Sequence, residues 1–510
     1  MKWMPGQGYL WAAAPQAEGW SAADKDLTAD VVIIGTGPGG AAAARTLAGQ
    51  GASVLLLEEG PPQERFRHSQ AAVMRHHMQE GGAMVATGST FMPIAAGRGV
   101  GGGTLINSAI AWRCPDAILD SWTDLLGDRR YAADNMRPVY DELWEYLGIW
   151  DTLPEVAGEN SDMLVRGAKA LGLHGGYLAR YTPRCVGCGT CFYGCPTGGK
   201  ASTNHNFLVE AASNGARIQA DTRVRDFLVS GDRVVGVVGQ SFDPDTRAPG
   251  GRVTVRADKV IIACGGVGTP RLLASSALDL GPAVGQGLHV HPGNAVFGVC
   301  KQAVNWWQGA TQGAYFHQPG LPGVLPHTSS LPPEVALLSL APLGIGAAEA
   351  LSMIPHLAGC LVMISDHSTG TVGAWPDGRA NLGYTFLPTD VDRIKAGMVA
   401  TARVLLAGGA EWMFCAVAGV GRFSTAEELE ARLSTRTIQD FTLYASHPMS
   451  SCRMGSDPAT SVIGPDGRAH GFEGLYIADS SIFPTSLGVN PSLTTMAMAT
   501  LMARGIARTG

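Results

Sequence analysis

Four cysteines stand close together in the middle of the chain, and their thiols could hold a redox-active metal group. Cys185, Cys188, Cys191 and Cys195 follow one another in the spacing C-x2-C-x2-C-x3-C, and Pro196 comes directly after the last of them. Bacterial ferredoxins space the thiolate ligands of their iron–sulfur clusters in this way. The run therefore predicts an iron–sulfur cluster, which we expect to be of the 4Fe-4S type.

The same thiols allow other interpretations. They could pair as disulfides, bind zinc or stay reduced, although structural zinc sites usually split two short cysteine pairs across a long spacer. In ferredoxins with two clusters, the fourth cysteine of such a run ligates the other cluster, and this chain has no second run. Either Cys195 closes the same cluster, or a distant thiol such as Cys114 or Cys452 does, or three ligands hold a smaller cluster.

A second motif, near the N-terminus, is typical of dinucleotide binding. An apolar segment at 30–34 runs into the pattern Gly-x-Gly-x-x-Gly and then into an alanine-rich segment. The first glycine makes the tight turn, the second lets the backbone approach a pyrophosphate, and the third lets helix pack on strand. A carboxylate at the end of the next apolar segment, 53–57, lies where it could bind the ribose hydroxyls. The predicted nucleotide-binding residues here are Gly35, Gly37, Pro38, Gly39, Gly40 and Glu58.

Composition and charge restrict the class of protein. The chain has 510 residues, enough for two or three folding units of roughly 150 residues each. Its net charge of -6 argues against a nucleic-acid partner, because duplex binding depends on Lys and Arg that neutralise phosphates. The ten cysteines do not form a secreted framework, and the first residues lack the apolar core of a signal peptide. We expect a cytoplasmic protein without membrane contact.

The hydrophobic pattern predicts the elements that must position these residues. Helices are predicted over 41–50, 133–147 and 206–215, and a final small-residue helix follows the last strand. Strands are predicted over 30–34, 53–57, 224–240, 253–255, 260–264, 361–364, 381–386 and 475–479, with a glycine turn at 265–268. Alternation of apolar strands and helices around a glycine turn favours an α/β fold at the N-terminus.

Several longer stretches, taken with the first glycine motif, carry a family resemblance. These are GRGVGGGTLIN (97–107), CGGVGTPRLLASS, VGQGLHVHPG, HPMSSCRMG and YIADSSIFPTSLGVNPSLTTMAMA. In this order they resemble the glucose–methanol–choline (GMC) oxidoreductases, and they cover most of the chain. The cysteine run followed by GGKASTNHNFL is similar to the branch with long-chain alcohol oxidases and bacterial alcohol dehydrogenases.

This resemblance implies FAD as cofactor and an α/β fold (α+β overall). It implies a discontinuous Rossmann-type FAD-binding domain and a substrate domain with an antiparallel sheet. The implied divisions are 27–120 (FAD-binding domain, first part), 121–199 (cap and cysteine-rich loop), 200–295 (second part), 296–440 (substrate-binding domain) and 441–510 (third part, with active-site residues).

The resemblance also implies which residues act. His447 and Asn490 occupy the positions of the family's active-site pair, and Asp479 falls where a carboxylate meets the phosphate–ribitol region. The backbone of Val224 would hold adenine. The loop implied to lie along the flavin contributes Gly99, Gly102, Gly103, Thr104 and Asn107.

Those residue types agree with alcohol oxidation. A hydroxyl proton must leave as hydride passes to flavin N5, and a histidine with a pKa near neutrality is a natural base. The resulting hypothesis is an FAD-dependent dehydrogenase of a long-chain, alicyclic or aromatic alcohol. Its electrons would pass through the cluster to an external one-electron acceptor, such as a cytochrome, a ferredoxin-like protein or a quinone. The alternatives are an FAD alcohol oxidase with structural cysteines and a redox-carrier subunit without its own substrate.

Overall fold

The computed structural model describes residues 16–62, 69–330, 333, 340 and 344–508. Its buried apolar side chains fall into two main clusters, and each cluster surrounds one large sheet. The α-helices are α1 (Pro38–Gly49), α2 (Gln70–His77), α3 (Asp116–Leu126), α4 (Ala133–Leu147), α5 (Pro154–Ala157), α6 (Glu159–Ala170), α7 (Phe207–Ser213), α8 (Gly265–Ser275), α9 (Ala347–Met353), α10 (Pro388–Gly408), α11 (Ala426–Leu433) and α12 (Ser492–Arg508).

The strands come from all parts of the described chain. They are β1 (Lys25–Ile34), β2 (Val54–Leu57), β3 (Val85–Gly88), β4 (Met92–Pro93), β5 (Trp150–Asp151), β6 (Gly175–Tyr177), β7 (Ala179–Arg180), β8 (Arg217–Gln219), β9 (Thr222–Ser230), β10 (Arg233–Phe242), β11 (Pro249–Ile262), β12 (Gln286–Leu288), β13 (Gly293–Cys300), β14 (Ala314–Phe316), β15 (Val324–Thr328), β16 (Leu357–Ile364), β17 (Thr369–Ala374), β18 (Ala380–Thr385), β19 (Ala410–Cys415) and β20 (Leu475–Ile477).

The first large sheet has the order β8-β2-β1-β11-β10-β9, and β20 also pairs with β11. Strands β8, β2, β1, β11 and β20 run parallel, while β9 and β10 are antiparallel additions. The long strand β11 pairs with β10 near its start and with β20 near its end. Three separate parts of the chain form this sheet, namely β1–β2, β8–β11 and β20, so the domain built on it is discontinuous, as the resemblance implied.

Helix α1 packs against the first sheet and against α12. Its alanines favour the helix, and proline is well tolerated at the first helical position. A Cβ atom on Gly39 would lie 1.8 Å from the carbonyl oxygen of Ala478. A Cβ atom on Gly40 would lie 2.1 Å from the carbonyl oxygen of Gly35. Glycine is therefore required at both positions for the helix to approach the sheet.

The second large sheet is antiparallel throughout, in the order β19-β13-β16-β15-β14-β6. Helix α10 packs on one of its faces, where a Cβ atom on Gly397 would come within 2.5 Å of a methyl group of Val362. The other face is turned toward the cavity described below. A smaller sheet, in the order β12-β17-β18-β3-β4, lies beside it.

Most predicted elements are present with shifted ends. The helix predicted over 133–147 has those bounds, but the predicted turn at 265–268 is the start of α8. The segment 253–255 and residues 260–262 of the segment 260–264 belong to the single strand β11, and buried and exposed residues alternate through the polar stretch between them. Among the described residues, no helix is both long and apolar enough to cross a bilayer.

Candidate active site

A cavity of about 1410 Å³ is lined by residues from both large sheets. Pockets for a single small ligand usually measure about 300–1,000 Å³, so this one has room for a dinucleotide cofactor and a second molecule. The predicted site residues in its wall are Gly35, Gly37, Pro38, Gly39, Glu58, Gly102, Gly103, Asn107, Val224, His447, Asp479 and Asn490.

Three predicted residues lie behind this wall. Gly40 packs on the first turn, and the backbone N–H of Gly99 donates to a carboxylate oxygen of Glu58 over 3.0 Å. The hydroxyl of Thr104 donates to the carbonyl oxygen of Gly101 over 2.6 Å. These residues therefore shape the loops around the cavity without lining it.

Glu58 connects the first glycine turn (35–40) to the second glycine loop (97–107). One carboxylate oxygen accepts from the backbone N–H and the hydroxyl of Thr36, at 3.1 and 2.7 Å. The other oxygen accepts from the backbone N–H groups of Gly60 and Gly99, at 3.1 and 3.0 Å. Burial raises the pKa of Glu58 to about 6, against the effect of these bonds. A carboxylate has about four lone-pair sites, so a ribose hydroxyl would compete with these donors, and the ribose role stays a prediction.

The second glycine loop lies directly on the first. A Cβ atom on Gly102, whose φ is +53°, would lie 2.6 Å from the Cα atom of Gly37. At the end of the loop, the side chain of Asn107 donates to the hydroxyl of Tyr181. Its oxygen accepts from the backbone N–H of Ala109 over 3.2 Å. The side chain of Asn107 is thus held between two neighbours at the wall of the cavity.

Asp479 stands at the N-terminus of α8. Its carboxylate accepts from the backbone N–H of Gly265 over 2.9 Å and from the hydroxyl of Thr269 over 2.5 Å. It also accepts from the backbone N–H of Ser481 over 2.8 Å. Burial raises the pKa of Asp479, while these donors and the helix N-terminus favour its charged form. The residue holds the end of β20 against α8, at the edge of the cavity.

The predicted active-site pair lies together in the wall. Nε2 of His447 is 3.0 Å from the side-chain nitrogen position of Asn490. Behind it, Nδ1 of His447 is 3.2 Å from Nδ1 of His291, which is buried. Burial and the neighbouring His291 hold the pKa of His447 well below its usual range. The imidazole of His447 is therefore neutral at physiological pH.

The hydrogen bonds assign the protons of this histidine pair. The backbone N–H of Gly488 donates to Nε2 of His291 over 3.0 Å, so a neutral His291 carries its proton on Nδ1 and donates it to His447. A neutral His447 then carries its own proton on Nε2. The oxygen and nitrogen of an asparagine amide are assigned from the surrounding network. In this resting state the oxygen of Asn490 must face His447.

A buried carboxylate positions the second histidine. Asp366 accepts from the backbone N–H of Val290 over 2.8 Å, from the hydroxyl of Tyr384 over 2.6 Å and from the hydroxyl of Ser486 over 2.8 Å. Although burial alone would raise it, the bond with His289 and the other donors lower the pKa of Asp366. Asp366 therefore fixes the segment that carries His291 against the loop that carries Gly488.

The four cysteines of the run line a second, small cavity of about 20 Å³. Within the described ranges, no three metal-binding side chains are close enough together to hold an ion. All four cysteines are free thiols, which excludes the disulfide interpretation for this structure. Phe192 and Tyr193, inside the same run, line the large cavity instead. The loop thus has one side on the small cavity and one on the cofactor site.

Two fully buried cations lie between the cysteines and the second glycine loop. Arg180 donates from Nε to the carbonyl oxygen of Ser108 over 2.8 Å and from Nη2 to Sγ of Cys191 over 3.1 Å. Nζ of Lys200 donates to the carbonyl oxygens of Leu105, Asn107 and Cys191, at 2.8, 2.9 and 3.2 Å. These bonds join the cysteine run to the wall of the cofactor cavity.

Among the described residues, no carboxylate neutralises these two cations. In the part of the chain that the structure covers, neither Arg180 nor Lys200 forms an ion pair with Asp or Glu, and Nη1 of Arg180 has no hydrogen-bond partner. Burial lowers the pKa of Lys200 to about 8. Although burial alone would raise it, both cations lower the pKa of Cys191. Buried charges are normally paired, so the surroundings favour thiolates or another anionic group here.

Sequence reasoning did not assign the residues that support the site. His291 was the second histidine of the stretch HVHPG, yet only the fold shows that it touches His447. Lys200 and Arg180 flank the cysteine run, and a charged residue near an apolar, glycine-rich loop is a weak signal. Asp366 carried no signal, because its partners come from segments far away along the chain.

Three family models match this chain. An FAD binding domain model matches residues 30–87, and two GMC oxidoreductase models match residues 74–293 and 366–499. An uncharacterized GMC-type oxidoreductase of Mycobacterium tuberculosis is 32% identical over 479 residues, which are 93% of this chain and 75% of that protein. A long-chain-alcohol oxidase of Arabidopsis thaliana is 27% identical over 529 residues, 94% of this chain and 67% of that protein.

Solved structures agree with this fold. The crystal structure of pyridoxine 4-oxidase from Mesorbium loti superposes with a TM-score of 0.71 at 19% identity, covering 93% of this chain and 98% of the other. These matches confirm the family resemblance, the fold class and FAD as cofactor.

Proposed function

The chain belongs to the GMC oxidoreductase family, and on that premise we propose that it is an FAD-dependent alcohol dehydrogenase. It oxidises a hydrophobic alcohol to an aldehyde or ketone. The observation that carries this proposal is the 3.0 Å contact between Nε2 of His447 and the side chain of Asn490, in the wall of the large cavity. The glycines that line the cavity and their close approach to one another fit the flat rings and the pyrophosphate of that cofactor.

FAD, when bound, supplies the acceptor for the hydride of the carbinol carbon. The protein must hold the hydroxyl group and remove its proton. His447 takes the proton at Nε2, and Asn490 hydrogen-bonds the same oxygen and orients it. Because burial keeps His447 neutral, the base is available at physiological pH.

Proton uptake requires a change in the histidine pair. Nε2 of His447 must carry no proton, so the reactive tautomer of His447 has its proton on Nδ1. That N–H donates a hydrogen bond to Nδ1 of His291. The proton of His291 then lies on Nε2, and the hydrogen bond from the N–H of Gly488 is lost. Leaving one backbone N–H unpaired costs about 1–3 kcal/mol. In the resting tautomer, Nε2 therefore carries a proton and cannot act as a base until a hydroxyl group takes the place of Asn490 beside it.

The apolar part of the cavity supports a hydrophobic substrate. Ala295, Phe297, Leu361 and Met363, from β13 and β16, lie in its wall, and Phe192 adds another aromatic ring. The Arabidopsis relative is named for long-chain alcohols. We propose long-chain, alicyclic or aromatic alcohols as the substrate class.

The cysteine run suggests the route by which electrons leave. Cys185, Cys188, Cys191 and Cys195 would hold an iron–sulfur cluster, which supplies transfer of single electrons. The thiol donors and the two buried cations without carboxylate partners fit such an anionic group. The thiols would have to move closer together than they stand in this structure. An external one-electron acceptor, in a reducing compartment such as the cytoplasm, would complete the reaction.

The test is anaerobic reduction of the purified flavoprotein by a panel of alcohols, with iron and acid-labile sulfide measured on the same sample. We expect bleaching of the flavin absorbance, iron in proportion to flavin, and alcohol-dependent reduction of one-electron dyes. Iron-free protein with full dye-reducing activity would remove the cluster. If no alcohol bleached the flavin, the role of a carrier subunit would replace that of an enzyme.

A second candidate is an alcohol oxidase that passes electrons to oxygen, with structural cysteines. The name of the Arabidopsis relative favours it, as does the separation of the four thiols. Hydrogen peroxide formed per alcohol consumed distinguishes the two. Equal amounts of peroxide and aldehyde in air would favour the oxidase, and a small fraction of peroxide would favour the dehydrogenase.

A further inference from the structure

The substrate part of the large cavity has one face of the second sheet as its floor. Residues alternate along a strand between the two faces, and the cavity receives the same alternate residues from three neighbouring strands. The pairing register sets His327 beside Leu361 and Leu361 beside Ala295. In the next row, Phe297 lies beside Gly359. These rows run across the sheet from β13, nearest the catalytic pair, to β15.

The floor changes from apolar to polar along these rows. On β13 and β16 its side chains are apolar or sulfur-containing: Ala295, Phe297, Cys360, Leu361 and Met363. On β15 the lining residue is His327, Ser329 follows directly after that strand, and Gln312 bonds to His327. With neighbouring strands about 4.8 Å apart, the polar end lies roughly 10 Å from β13. Strand β13 begins at Gly293, which bonds to the segment that leads to His447.

The bonds of His327 determine what Gln312 presents to the cavity. Nδ1 of His327 lies 3.1 Å from the carbonyl oxygen of Leu325, so it carries the proton and donates it. Burial lowers the pKa of His327 to about 4, so the ring is neutral. Nε2 must then accept, and it lies 3.0 Å from the amide nitrogen of Gln312. The carbonyl oxygen of Gln312 is left as an acceptor at the cavity wall.

A buried donor in the same wall lacks a partner. Trp306 is fully buried, and its ring packs on Gly359, where a Cβ atom would lie 2.5 Å from it. Its Nε1 forms no hydrogen bond with any described residue. That nitrogen has no surface open to the cavity. At the polar end, the group that faces a ligand is therefore the carbonyl oxygen of Gln312.

We propose that the polar end, formed by Gln312 and His327, binds a second oxygen of the substrate. The preferred substrate is a hydrophobic alcohol with a remote hydroxyl group, about 10 Å from the sheet's catalytic side. A hydroxyl group donates to the carbonyl oxygen of Gln312, which a carbonyl group cannot do. This inference rests on the proposed function and narrows its substrate class.

The test compares 1-alkanols with α,ω-diols of equal length, from about six to about twelve carbons, a range that spans the estimated 10 Å. Flavin bleaching gives kcat/KM, and the change in flavin absorbance on ligand binding gives Kd. We expect the diol to be preferred at least about tenfold at one or two lengths, since a site built for a polar group discriminates against the analogue without it. In Gln312→Met, which keeps the size of the side chain, the preference should fall to about twofold, with the alkanol unaffected or improved.

Met363→Leu is the matched control, since it changes the apolar part of the same floor and should keep the preference for the diol. The inference is overturned if wild-type protein prefers the alkanol at every length, or if Gln312→Met keeps the preference. If neither these compounds nor any alicyclic or aromatic alcohol bleaches the flavin, the proposed function fails. The Kd values then test the second-oxygen site by themselves, and equal values for diol and alkanol would overturn it.

Discussion

Replacing His447 by Ala should slow the reduction of the flavin by alcohol without preventing flavin binding. A positioned general base contributes about 10²–10⁴ in rate. Part of that gain is offset in this site, because bringing His447 to its reactive tautomer breaks the bond between Gly488 and His291, at about 1–3 kcal/mol. We therefore expect a loss of about 10²–10³, or about 3–4 kcal/mol in the activation free energy.

The assay is anaerobic stopped-flow at saturating alcohol, which isolates flavin reduction from the steps that follow. His367→Ala is the matched control, because the side chain of His367 is 67% exposed. Its rate should equal that of the wild type. Asn490→Ala should lie between the two, since it removes one hydrogen bond to the reacting oxygen and leaves the base in place.

The pH profile of the wild type provides an independent measurement. A base loses activity as pH falls through its pKa, because the protonated form cannot accept a proton. The pKa of His447 lies well below its usual value of 6.5, so kcat/KM should be flat from about pH 6.5 upward and should fall only at lower pH. An acid limb centred at or above 6.5 would refute the reasoning, as would a His447→Ala rate within about threefold of the wild type.

Three further outcomes follow from the packing. Gly39→Ala places a Cβ atom 1.8 Å from a backbone oxygen and should abolish flavin retention, whereas Gly49→Ala, which meets no atom within 4 Å, should keep the full flavin content. Lys200→Met removes the ammonium donor from the carbonyl oxygens of Leu105 and Asn107, while that of Cys191 keeps the N–H of Gly194, and should lower the free energy of unfolding by about 2–3 kcal/mol in urea titrations; an unchanged midpoint would contradict this. Cys188→Ser should lower the iron content by at least about half if the run holds a cluster, while Cys300→Ala, which does not line the small cavity, should not.

Much of the fold could be predicted from local sequence patterns. The glycine turn and α1 could be read from the sequence, because each glycine there has a steric reason that does not depend on distant residues. The helix over 133–147 was predicted with its bounds, since its apolar residues recur at the helical period and Gly148 ends it. His447 and Asn490 were found through the resemblance, and the fold brings them into contact.

What could not be predicted depends on pairing between distant segments. The contact between His291 and His447 joins the segment just before β13 to a loop more than a hundred residues later in the chain. The register of β13, β16 and β15 decides that His327 shares a face with Leu361. No local period encodes such a register, because a shift by one residue would turn every side chain to the other face.

The bonds of Lys200 have a consequence for attempts to engineer this protein. One ammonium group fastens the backbone of the cysteine run to the backbone of the second glycine loop. The run therefore cannot be cut out or exchanged for a shorter connection as an independent module. A graft from another protein would have to bring its own ammonium group, or the run would keep the bonds of Arg180 and lose this second link to the flavin pocket.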